Sequence, residues 1–151
     1  MSAKTVNASI DIDAPPEKVW DVVMDPGRLG DWVTIHRKLG KVTDRPLKRG
    51  SKLEQTLCLR GANFKVRWEV AEYNEGKQAK WEGRGPARSH ASTEYRIASD
   101  GDGGTRFDYR NEFRAPLGPL GSVASNAVMG GVPEREAKRS LERLKALLEK
   151  R

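Results

Sequence analysis

Five polar side chains, Gln55, Thr93, Tyr95, Tyr109 and Asn111, share a strand parity with a set of large apolar residues. That company suits a mostly apolar pocket in which a few hydrogen-bonding groups orient a guest. Trp68, Trp81, Phe107 and Phe113 fall on the same parity, and Val128 adds an apolar contact from further along the chain. Together these positions form the expected ligand wall. The tyrosines also fit a plain core, where their rings belong whatever they bind. Asn111 is more telling, because a buried amide needs partners. Trp32 and His36 are expected at the mouth of the same pocket.

Acid–base catalysis in such a pocket needs a histidine or a carboxylate within reach. Glu54, Glu69, Glu82, Glu94, Asp108 and Glu112 all take the opposite, outward parity. The two histidines, His36 and His90, read most simply as surface or edge residues. Cys58 is the only cysteine. It also points outward with no histidine placed beside it, which argues against a cysteine nucleophile and excludes an internal disulfide. Asp100-Gly101-Asp102-Gly103-Gly104 has the look of a calcium loop, but Gly104 and Asn111 stand where that pattern wants ligands. It reads as a hairpin turn. No zinc spacing, phosphate loop or dinucleotide fingerprint occurs in the chain. No catalytic residue, metal or cofactor is therefore expected.

The elements that must position this wall are legible from periodicity. Val6, Ala8, Ile10 and Ile12 alternate with Asn7, Ser9, Asp11 and Asp13, the period of a half-buried strand. Pro15-Pro16 then opens a helix to about Met24, capped by Asp13 or Ala14, with Val19, Trp20 and Val23 on one stripe. Residues 28–33 form a second short helix with Leu29 and Trp32 turned inward. A run of strands follows, punctuated by turns at Pro46–Gly50, Gly61–Asn63, Asn74–Gly76, Gly85-Pro86 and Asp100–Gly104. Such short spacing favours an antiparallel meander. Ala137, Leu141, Leu144 and Leu148 then mark a long terminal helix. The stretch 118–132 is weakly helical, and Gly130-Gly131-Val132-Pro133 bends or breaks it, either as a gate over the sheet or as a plain join.

A chain of 151 residues is expected to form a single domain over residues 1–151, with a thin core, given 36% hydrophobic content. Nothing in Met1–Thr5 suggests a secretory signal and no stretch is long enough to span a membrane, so a reducing cytoplasm is the expected compartment. The formal net charge of +7 is concentrated. Arg37, Lys38, Lys41, Arg45, Lys48, Arg49 and Lys52 accompany a single acid, Asp44, leaving the rest of the chain nearly balanced. This segment is either an anion-attracting patch or a solvated loop whose lysines also block edge-to-edge strand pairing.

The order strand, two short helices, six strands, long helix resembles the START-like (SRPBCC) helix-grip superfamily. That group includes polyketide cyclase/dehydrase and lipid-transport proteins and the birch-pollen-allergen-like proteins. The resemblance rests on Ile10-Asp11-Ile12-Asp13-Ala14-Pro15-Pro16-Glu17-Lys18-Val19-Trp20, on Trp32, Gly50 and Gly104-Thr105-Arg106, and on Leu141, Leu144 and Leu148. It covers essentially the whole chain. Asp31–Arg37 is similar to a segment of an actinobacterial subgroup, some of whose members are described as toxins of toxin–antitoxin pairs. The resemblance implies an α+β fold in which a curved antiparallel sheet of about seven strands grips the last helix. It further implies a cavity for a lipid, sterol or polyketide, and it does not imply catalysis.

The reading favoured by the sequence is a carrier of a small hydrophobic ligand, as a monomer or weak homodimer. A polyketide cyclase or dehydratase, working mainly by shaping a reactive chain, is an alternative. A toxin-like or nucleic-acid-interacting protein using the basic segment is another, although that segment lacks the interleaved aromatics that stack on bases.

Overall fold

Alternation of apolar and polar residues sets β1 (Ala3–Ile12), and Pro15-Pro16 turns the chain into α1 (Pro16–Val23). The computed structural model describes residues 3–59, 61–114 and 132–150. The helix buries Val19, Trp20, Val22 and Val23. Each such side chain contributes roughly 1.5–3 kcal/mol when fully removed from water. The expected cap at Asp13 or Ala14 does not form: Pro15 holds that position without a side-chain bond. Pro16 at the first helical position has no N–H to satisfy, so one of the usual reasons for a cap is gone. Asp13 instead donates its backbone N–H to Glu149 Oε2 at 2.8 Å. A 3-10 turn (Pro26–Arg28) then leads into α2 (Leu29–Trp32), where Leu29 and Trp32 are buried.

The remaining strands are β2 (His36–Val42), β3 (Lys52–Leu59), β4 (Ala62–Asn74), β5 (Gln78–Arg84), β6 (His90–Ser99) and β7 (Thr105–Arg114). They join β1 in one seven-stranded sheet, ordered β1-β7-β6-β5-β4-β3-β2. Each pairing is antiparallel. The hairpin meander runs from β2 to β7, and β1 closes onto β7 from the far end of the sequence. The terminal helix α3 (Val132–Glu149) packs against β1 and α2. It buries Ala137, Leu141 and Leu144. Lys145 Nζ donates to the Asp11 carbonyl at 2.8 Å, pinning the end of α3 to β1. The α+β arrangement expected from the element order is therefore the one observed. Residues 118–131, most of the stretch expected to be weakly helical and bent, lie outside the described residues, and so does Val128.

Two motif positions have a direct steric reason. Gly104 precedes β7 where a Cβ would meet Asp100 Oδ2 and the Ile12 carbonyl at 3.0 Å. Thr105 follows it, fully buried, and donates its hydroxyl to the Ala14 carbonyl at 2.7 Å. The start of β7 is thereby tied to the corner between β1 and α1. Gly83 faces Trp68 across the β4–β5 pair, and a Cβ there would lie 2.6 Å from the indole ring. The tryptophan lies over the glycine because only a glycine leaves the room.

Two outcomes follow from this packing. Gly83→Ala should lower unfolding free energy by about 1–3 kcal/mol, the usual cost of overpacking, read from the urea midpoint. Thr105→Val, which orphans a buried carbonyl, should cost about 1–3 kcal/mol by the same measurement. A midpoint unchanged in either variant would contradict the packing described.

Candidate functional site

Two joined hollows lie between the inner sheet face and the helices. The inner one has a volume of about 70 Å³ and the outer about 100 Å³. A single water needs about 10–15 Å³ on such a measure, so both are true spaces rather than packing faults. Trp68, Tyr109 and Asn111 border both. So do Ala137 and Ser140 of α3, which form the opposite wall.

Of the expected wall, Gln55, Trp68, Trp81, Thr93, Tyr95, Tyr109 and Asn111 border the inner hollow. Phe113 borders the outer one. Phe107 borders neither. It is fully buried, 6.3 Å from the Trp32 ring and 5.5 Å from the Tyr95 ring, in the solid part of the core. Parity put it on the right face but says nothing of depth along the strand. Trp32, expected at the mouth, borders the inner hollow and is almost wholly buried there. Sequence reading missed Leu47, a buried side chain from the β2–β3 loop that also lines this hollow. Its one signal was an isolated leucine inside a cationic run.

Tyr95 and Tyr109 sit directly opposite each other on β6 and β7, with rings stacked at 6.0 Å. One step along, Thr93 faces Asn111. The Thr93 hydroxyl donates to Asn111 Oδ1 at 3.1 Å. Burial pushes both phenols upward, Tyr109 to about 12 and Tyr95 further. Both therefore stay as neutral O–H groups. Among the described residues, no Asp, Glu, Lys or Arg borders the inner hollow.

Gln55 is not a free ligand group, contrary to expectation. The Trp68 indole N–H donates to Gln55 Oε1 at 2.9 Å. Indole nitrogen can only donate, which fixes the amide orientation and turns Gln55 Nε2 toward His36 Nδ1, 2.9 Å away. His36 must therefore accept on Nδ1 and carry its proton on Nε2. It borders neither hollow and reaches the wall only through this relay, which crosses β2, β3 and β4. Burial lowers the His36 pKa from its ordinary value.

The outer hollow carries an acid that strand parity could not show, because it comes from α3. Glu136 borders it and accepts from the Thr34 hydroxyl through Oε2 at 2.5 Å. Arg139 Nη1 lies 3.3 Å from its Oε1. Buried Ser140 accepts the Thr34 backbone N–H at 3.0 Å. Lys4 also borders this hollow and pairs with Glu134 at 2.6 Å. His90 also borders the outer hollow and lies 3.5 Å from Glu82, an outward-facing carboxylate, in an exposed pair.

The basic segment is solvated. Arg37, Lys38, Lys41, Arg45, Lys48, Arg49 and Lys52 are all exposed. Asp44, the segment's acid, accepts from the hydroxyls of Ser51 at 2.9 Å and Thr43 at 3.0 Å. The Ser51 bond, then that from Thr43, holds its carboxyl below the usual range.

The relay predicts a pH dependence with a definite sign. Because the folded His36 pKa is lowered, the unfolded chain binds the proton more readily. The relay's stabilisation is complete above the unfolded value, near 6.5, and is lost as pH falls from there toward the lowered folded value. Urea unfolding from pH 7 to pH 5 should show a smaller loss of stability in His36→Gln than in the unmodified protein. Equal slopes would contradict it, since His90 is common to both.

The model of a family described as polyketide cyclase/dehydrase and lipid transport matches residues 3–149. Among curated proteins, the chain is 25% identical to the Mycobacterium tuberculosis protein named Toxin Rv0910, over 85% of this chain and 90% of that one. It is 28% identical, with the same coverage, to an uncharacterized M. tuberculosis protein, Rv1546. Among solved structures, the Zhui aromatase/cyclase from a Streptomyces species shares the fold at a TM-score of 0.76 and 17% identity, covering 99% of this chain and 96% of that one. A conserved protein from Geobacillus kaustophilus also scores 0.76, at 18% identity, over 97% and 96% of the two chains. With element order, sheet topology and a family match over nearly its whole length in agreement, the chain belongs to the polyketide cyclase/dehydrase and lipid transport family.

Proposed function

We propose that the protein binds a small hydrophobic molecule in the paired hollows between its sheet and α3. The observation that carries this reading is the inner wall: tryptophan and tyrosine rings around open space, with no charged side chain among the described residues bordering it. A wall of this kind accepts flat or chain-like apolar guests and orients them through a few neutral polar groups. The phenols support binding over proton transfer. Held far above neutral pH, they donate hydrogen bonds but do not serve as general bases.

Native mass spectrometry and dye displacement against fatty acids, sterols and aromatic polyketides test the reading. At least one class should bind. Ala137 borders both hollows from α3, so Ala137→Phe should fill them and weaken that binding at least tenfold while circular dichroism shows the fold retained. Failure of every class to bind would defeat the proposal.

A second reading rests on the seven exposed cations of residues 37–52. One of the similar curated proteins is named a toxin, and a basic surface suits an anionic macromolecular partner. Binding to RNA or DNA by this surface should fall steeply with salt. Lys48→Glu with Arg49→Glu should weaken it severalfold, and binding indifferent to that reversal would exclude the surface.

A further inference from the structure

We propose that the junction of the two hollows is a docking point for a hydrogen-bond-accepting oxygen, a ketone or ester carbonyl, carried within an uncharged apolar guest, with Asn111, Tyr109 and Tyr95 as its donors. This rests on the reading of the hollows as a binding site and specifies what they recognise.

The register brings the three groups together. Tyr95 faces Tyr109 and Thr93 faces Asn111, two steps apart on the same strands and the same face. The four side chains thus form one compact patch. Tyr109 and Asn111 border both hollows, so the patch lies where they meet. Within it the Thr93 hydroxyl donates to Asn111 Oδ1. In this arrangement Nδ2 is the atom left over, and Nδ2 makes no hydrogen bond to a described residue. The same holds for both phenol oxygens. Among the described residues, the sealed polar side-chain atoms without partners are the Trp32 and Trp81 indole nitrogens. No water-sized atom reaches those two, so they are not the recognition groups.

What remains is a surplus of neutral donors in an apolar setting. An amide N–H₂ can only donate, and burial keeps the phenols protonated. A hydrocarbon would leave these donors without partners, which is unfavourable in a dry site. A carboxylate is excluded from the inner hollow by the cost of burying an unpaired charge, since no described cation borders that space. The ionisable residues at the outer hollow already have partners, Lys4 with Glu134, Glu136 with Thr34 and Arg139, and His90 with Glu82. A neutral guest with an internal acceptor satisfies every one of these conditions.

A matched set of rigid probes tests it: 9-fluorenone, fluorene, and fluorene-9-carboxylate, titrated into the purified protein by dye displacement. The ketone should bind roughly tenfold tighter than the hydrocarbon, the scale of a net buried hydrogen bond, and the carboxylate should bind weakest. Asn111→Leu should abolish the ketone's advantage over fluorene. Tyr109→Phe should reduce the advantage in part, and serves if Asn111→Leu fails to fold by thermal melt. Equal affinity for ketone and hydrocarbon, or an advantage that survives both substitutions, overturns the proposal. So does a protein that binds fatty acids, sterols or polyketides but none of the three probes. If no apolar molecule of any kind binds, the hollows themselves are not a binding site and the failure lies with that reading.

Discussion

The terminal helix alone is too narrow to cover one face of a seven-stranded sheet. Six strand spacings of about 4.8 Å give a sheet face nearly 30 Å across, whereas a helix with its side chains is about 10–12 Å wide. α3 takes its place against β1 and α2, pinned by the Lys145–Asp11 and Glu149–Asp13 bonds. Among the described residues, α1 also meets β6 and α2 meets β2, and the face between them is left to the reach of side chains. A space has to remain, and large rings with polar tips are what the sequence places around it.

Those rings are held by contacts outside the space. Trp68 lies over Gly83, and its indole nitrogen is anchored to Gln55 and through it to His36. Tyr95 stacks on Tyr109 and meets Phe107 and Trp32 behind it. The wall is therefore rigid before any guest arrives, which reduces the ordering cost that binding must offset. Phe107 and Trp32 fill the core behind these rings, and the hollows begin where that filling stops.

Much of this was legible in the sequence, for a physical reason. A strand's two-residue period assigns every side chain to a face, so the inward set at Gln55, Trp68, Trp81, Thr93, Tyr95, Tyr109 and Asn111 could be read directly. Period alone does not give depth, which is why Phe107 looked the same as Tyr109 yet is solid core. Nor does it reveal bonds across three strands. Gln55 read as an orienting group for a ligand but is occupied on both ends of its amide. Glu136 lies outside the strand pattern altogether, and only the packing of α3 brings it to the outer hollow. The cap expected at Asp13 or Ala14 did not form because the helix starts later, with Pro15 in the cap position.

Diffraction from crystals pressurised with xenon addresses the central claim most directly, because xenon enters dry apolar space irrespective of what the natural guest is. The account requires xenon density between Trp68, Tyr109 and Ala137, where the two hollows meet. An interior without xenon, or the same region filled by side chains, would contradict it.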